Sequence, residues 1–142
     1  MASSLLARLG RPAPAVLIIA ALALTAGLAG VFSLPVLDRD EARFAQATAQ
    51  MLETGDFIEI KFLDEPRHKK PAGIHWLQAA AVALTSSENA REIWAYRLVS
   101  VLGAALAAIA TYAAGARLVG RRAGLAAGSL LAVSVLLGAE AG

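Results

Sequence analysis

The chain has 142 residues, of which 58% are hydrophobic and 17% charged, with a net charge of +2. That apolar content excludes a disordered chain, and the small basic excess argues against a protein that coats nucleic acid. No residue is Cys, which excludes a disulfide scaffold and any Cys-ligated metal site.

The apolar residues are gathered into runs long enough for a membrane. Residues 1–13 form a short N-terminus carrying Arg8 and Arg11. No charge follows over residues 12–37, and residues 14–34 predict a first transmembrane helix. The two arginines place the N-terminus in the cytoplasm under the positive-inside rule. A cleaved signal peptide is the alternative for this segment, with small residues over 26–30 for cleavage. Its uncharged run is long for that role.

Residues 35–93 then form an extracytoplasmic loop, in which most of the chain's acids are concentrated. Asp38 is placed to cap a helix over residues 39–54, with Glu41 at its third position. Phe44, Thr48, Met51 and Leu52 recur at helical spacing, and Gly55 ends the helix at C′. Asp40 and Glu41 therefore fall in the first turn. The plain role for such acids is to stabilise the helix dipole, and Arg39 and Arg43 read as neighbours on a solvated face.

Residues 64–66 read as a turn. Arg67, His68, Lys69 and Lys70 follow as four cationic or potentially cationic residues in a row. Contact with anionic headgroups explains such a run. A specific phosphate competes, since Lys offers a compact point charge and Arg a bidentate fork. Residues 71–87 are uncharged and predict a juxtamembrane helix at the membrane surface. A further crossing there would put the next basic loop on the wrong side. His75 and Trp76 are expected at the interface, polar edges toward water.

Residues 94–116 predict the second span, with Trp94, Tyr96 and Arg97 leading into it as an aromatic belt. Residues 117–122 form a cytoplasmic loop with Arg117, Arg121 and Arg122 and no acid. Residues 123–142 predict the third span. Gly120, Gly124 and Gly128 make a GxxxGxxxG series suited to close helix packing.

Several motifs of the loop occur in a familiar order. Asp40-Glu41-Ala42-Arg43-Phe44, then Met51, Gly55-Asp56-Phe57, Lys70-Pro71 and Trp76-Leu77 resemble the first extracytoplasmic loop of glycosyltransferase family 39. That group includes bacterial aminoarabinose transferases acting on lipid A and protein O-mannosyltransferases. The resemblance covers residues 34–142. It implies an all-α integral membrane protein, part of a GT-C-type multi-span helical bundle in the bacterial inner membrane. The first loop would be periplasmic.

The implied reaction moves a sugar, with inversion, from a polyprenyl-phosphate donor to a lipid or protein acceptor. The family's key loop acid matches Asp40, with Glu41 beside it; both are the catalytic candidates, and Glu41 is also a candidate partner for a cation in the fold. The Lys near the carrier phosphate matches Lys70, with Lys69, Arg67 and Arg43 as further phosphate-binding residues. In the aminoarabinose transferases a Glu linked to a metal precedes that Lys. Here the position is Lys69, so a divalent metal is left open and no metal ligand is assigned. Family members have many more spans, so the chain reads as an N-terminal fragment without turnover of its own.

Two other classes are weighed. A small non-catalytic membrane protein would bind anionic lipid or a partner helix through its loop and glycine series. A transporter fragment would call for ionisable residues within the spans, which carry almost none. No P-loop is present, so nucleotide use is not expected. No nucleic-acid partner is expected either.

Overall fold

The structure is a computed structural model that describes residues 12–29, 31–32, 35–36, 39–66, 71–85 and 92–134. The described residues are mostly helical, in five helices and one small hairpin. They are α1 (Pro12–Leu28), α2 (Arg39–Thr54), β1 (Lys61–Phe62), β2 (Glu65–Pro66), α3 (Ala72–Thr85), α4 (Ile93–Leu118) and α5 (Arg121–Ala132). They fall into two compact units. One holds residues 1–32 and 100–142, the other residues 33–99.

The first unit combines α1, the larger part of α4, and α5. α1 starts at Pro12, where a missing N–H costs nothing in the first helical turn. It ends at Leu28, earlier than the expected 34, where Val31 N–H turns back to the Leu28 carbonyl at 3.3 Å. Gly27 lies at that end and weakens helix propagation. Ala15, Ile19 and Ala23 of α1 form one buried stripe. They meet Ala105, Ala108 and Tyr112 of α4 and Ala132 of α5.

α4 is 26 residues long, about 39 Å at 1.5 Å per residue. It is long and apolar enough to cross a membrane, and only 22% of its most apolar window is buried. A helix in a soluble core would be mostly covered. Leu102, Leu106 and Leu118 are instead exposed.

Between α4 and α5 only Val119 and Gly120 remain outside helix, rather than all of residues 117–122. Gly120 has φ 116°, a backbone state that favours glycine. The other two glycines of the series pack within this chain. A Cβ on Gly124 would lie 2.5 Å from the Ala116 amide N and 2.7 Å from the Tyr112 carbonyl O. One on Gly128 would lie 2.8 Å from Ile19 Cδ1 and 2.9 Å from the Ala108 carbonyl. The helix that these glycines receive is therefore α4 itself. α5 is described only to Ala132, and the last part of the expected third span, residues 135–142, lies outside the described residues.

The second unit is built around α2 and α3. Ala47 and Met51 of α2 are buried against Ala79 of α3 and Ile60 of the connecting segment. Val82 of α3 packs with Ala95 and Tyr96 of α4's first turns. The expected turn over 64–66 is instead an antiparallel hairpin, Lys61 facing Pro66 and Phe62 facing Glu65. Its turn falls at Leu63-Asp64, and Glu65-Pro66 is strand.

Candidate functional site

The first turn of α2 carries two adjacent acids with different surroundings. Successive residues on a helix point about 100° apart, so Asp40 and Glu41 cannot share a partner on one face. Glu41 turns inward. Its Oε1 accepts from Arg97 Nε at 2.6 Å and its Oε2 from Nη2 at 3.2 Å. The same Nη2 also donates to the Pro35 carbonyl at 3.0 Å. The Arg97 side chain is 2% exposed and that of Glu41 19%. This bidentate pair ties the first turn of α2 to the start of α4 and to the chain before α2.

Asp40 turns outward. Its side chain is 53% exposed, and Arg43 one turn later approaches at 3.5 Å, itself 41% exposed. An ion pair so open to water contributes little to stability. Asp40 and Arg43 thus remain accessible to a ligand, whereas Glu41 is engaged in the fold. Arg39 is exposed on the same helix end.

The other end of α2 builds a second set of contacts. Gly55 has φ 70°, and its N–H bonds the Met51 carbonyl at 3.0 Å, closing the helix in the expected left-handed cap. Asp56 then accepts the N–H groups of Ile58 and Glu59 on one oxygen, both at 3.0 Å. Those bonds, Glu59 first and then Ile58, hold its carboxyl below the usual range, with a smaller contribution from Lys61. The Phe57 carbonyl accepts the indole N–H of Trp76 at 2.9 Å. The Gly-Asp-Phe and Trp-Leu motifs, 19 residues apart, are thereby joined.

Gln50 grips the hairpin. Its amide N donates to the Leu63 carbonyl at 2.7 Å, and its amide O accepts the Leu63 N–H at 3.1 Å. Leu63 has φ 59°, an unfavourable state for a branched side chain, and this two-point contact offsets the strain. The hairpin leads straight into Arg67, His68, Lys69 and Lys70. These four, and the expected cap Asp38, lie outside the described residues. Pro71 is exposed immediately before α3.

Two expectations are corrected. His75 is fully buried rather than interfacial. Its ring stacks on Phe44 with centroids 5.2 Å apart, and its Nδ1 lies 2.8 Å from Thr48 Oγ1. Thr48 donates to Gln78 Oε1 at 2.9 Å, so Nδ1 is the donor toward Thr48. The polar face of α3 is thus met by a polar face of α2. Tyr96 and Arg97 likewise are not an aromatic belt. They are 2% and 3% exposed, because Glu41 and Val82 draw that face of α4 into the unit.

Neither Arg97, the Thr48–His75–Gln78 group nor Gln50 is marked by a motif. The one usable signal is Arg97 itself, a cation entering an apolar helix and so in need of a carboxylate. No protein-family model, curated protein or solved structure matches the chain. Among the described residues no three His, Asp or Glu side chains converge as metal ligands. Both Glu41 oxygens are also engaged by Arg97.

Proposed function

We propose that the chain belongs to a membrane glycosyltransferase of the family 39 type, with Asp40 at the reacting centre and Lys70 at the donor phosphate. The observation that carries this reading is the division of the two acids. The aspartate that matches the family's catalytic acid is exposed on a helix end that Glu41 and Arg97 hold in place. Met51, Phe57 and Trp76 of the other resembling elements belong to the same unit, Met51 in its core and Trp76 bonded to the Phe57 carbonyl.

On this reading α1 and α4 cross the bacterial inner membrane, and the loop that carries Asp40 is periplasmic. The acceptor oxygen attacks the anomeric carbon opposite the phosphate. The bond from that carbon to the phosphate oxygen breaks, and its electron pair leaves with the polyprenyl phosphate. Lys70, with Lys69 or Arg67, stabilises the charge that develops there. Asp40 takes the proton of an acceptor hydroxyl. A phosphate acceptor needs no base, and Asp40 then orients it. Arg43 positions the Asp40 carboxylate or meets donor phosphate. Glu41, adjacent to Asp40 in sequence, acts as the anchor of the helix.

The rival reading is a small non-catalytic membrane protein that binds anionic lipid or a partner helix; of its two routes, the glycine series is occupied within this chain, because Gly124 and Gly128 pack against α4 and α1. The test is sugar transfer in membranes from cells expressing the complete reading frame that contains this chain, given a labelled polyprenyl-phosphate sugar. Lys70→Ala is expected to lower transfer about 100-fold or more at unchanged insertion. Transfer at the wild-type rate would reject the assignment.

A further inference from the structure

The unit of α1, α4 and α5 carries its charge in one place. Its described residues include no Asp or Glu, and their only cations are Arg117, Arg121 and Arg122. All three are exposed. Between Arg117 and Arg121, Leu118 is 83% exposed and Val119 77%. The sugar transfer proposed above uses none of these residues.

Backbone contacts fix the turn that presents them. The N–H groups of Val119 and Gly120 both bond the Gly115 carbonyl, at 2.9 and 3.1 Å. The Gly124 N–H then bonds the Gly120 carbonyl at 3.0 Å and begins the ladder of α5. Gly124 lies against Ala116 of α4, which keeps Arg121 and Arg122 near the level of Arg117. Residues 98–116 are uncharged, about 29 Å of helix at 1.5 Å per residue. That length matches a hydrocarbon core of about 30 Å. With α4 across the membrane, Arg117 reaches the phosphate layer and the short turn holds the other two arginines there.

We infer that the turn between α4 and α5 is a binding surface for the headgroups of anionic phospholipid. It rests on the crossing of α4 proposed above and not on sugar transfer. Three observations select lipid as the occupant. The uncharged length of α4 sets the turn at phosphate depth. Every cation of the turn is Arg, whose guanidinium fork meets two phosphate oxygens at once. Leu118 and Val119 lie bare among these cations. An acidic protein segment would answer the charges and leave the two apolar side chains uncovered. In a bilayer, acyl chains begin directly beneath the phosphates and take up both.

The chain has no Cys, so Leu118→Cys takes a single bimane label. The labelled chain is reconstituted in bilayers of phosphatidylcholine and phosphatidylglycerol, one of which carries a nitroxide on its acyl chain. Labelled phosphatidylglycerol is expected to quench the bimane more strongly, with a relative association about 5-fold in its favour. Arg117→Gln with Arg121→Gln should bring that ratio close to unity. Leu106→Cys, 66% exposed in the middle of α4, is the comparison site, where both lipids should quench alike. Equal quenching by the two lipids at position 118 would overturn the inference and leave the crossing of α4 standing. A preference that survives loss of both arginines, or is as large at position 106, would also overturn it, because its source would lie elsewhere in the chain. Quenching by neither lipid at position 118 would overturn the inference and the crossing together.

Discussion

Each of the two units has its own internal chemistry. In the unit of α1, α4 and α5, the helices meet through Gly and Ala, with the backbone of α5 directly against that of α4. In the unit of α2 and α3, helices and loops are joined by side chains that hydrogen-bond across long sequence separations. On the membrane reading proposed above, the contrast matches two solvents. Lipid gives apolar side chains no reason to associate, so close approach of small residues and dispersion hold helices together. Beside water, an apolar core of modest size gains from polar anchors that fix register. Arg97 lies three residues before the division of α4 between the units, and it belongs to the polar one.

Substitutions that separate the two kinds of attachment sharpen this comparison. The largest effect is expected from Glu41→Ala, which leaves the nearly buried Arg97 guanidinium without its carboxylate and costs about 3–5 kcal/mol. Chemical unfolding of the reconstituted chain measures it. The double variant Glu41→Ala with Arg97→Met should be less destabilised than the single one, and a strictly additive cost would break the account. In the other unit, Gly124→Ala forces a methyl against the α4 backbone and should cost about 1–3 kcal/mol. Its signature is a widened distance between labels on α4 and α5, with the contacts of α2 unaltered.

Thr48→Val is similar in scale. It removes the hydroxyl that links His75 and Gln78, and about 1–3 kcal/mol should be lost. Amide exchange along α3 reports it. Gln50→Ala releases Leu63 from its two-point contact and should cost about 1 kcal/mol, seen as faster exchange in the hairpin only. The smallest effect concerns Asp56, whose carboxyl titrates below the usual range in the folded chain. A depressed folded pKa means that the stabilisation is present above the unfolded value. It is lost only as pH falls through the folded one. Exchange at Ile58 and Glu59 should therefore stay slow, after correction for intrinsic rates, until pH drops below the ordinary carboxylate range.

The sequence is most informative where local signals agree. The helix over residues 39–54 stands as expected, because acids in its first turn, an apolar series and a C′ glycine all mark the same segment. It is least informative where a contact joins distant residues. The hairpin has strands of two residues each and is gripped by Gln50 from 13 positions away, so no alternation announces it. His75 lies beside Trp76 and reads as its companion, yet a turn of about 100° along the helix sends one inward and the other outward. A cation partner for Glu41 is expected from the sequence, but which cation is not, because Arg97 is 56 residues on.

The division of Asp40 from Glu41 is tested most directly by comparing Asp40→Asn with Glu41→Gln in the transfer assay, with rates expressed per folded protein. The account predicts that Asp40→Asn keeps the stability of the wild type and loses transfer by about 100-fold or more for a hydroxyl acceptor. It predicts that Glu41→Gln lowers stability and leaves the rate per folded protein within a few-fold. Wild-type transfer by Asp40→Asn, or a selective loss of transfer in fully stable Glu41→Gln, would contradict the division of the two acids.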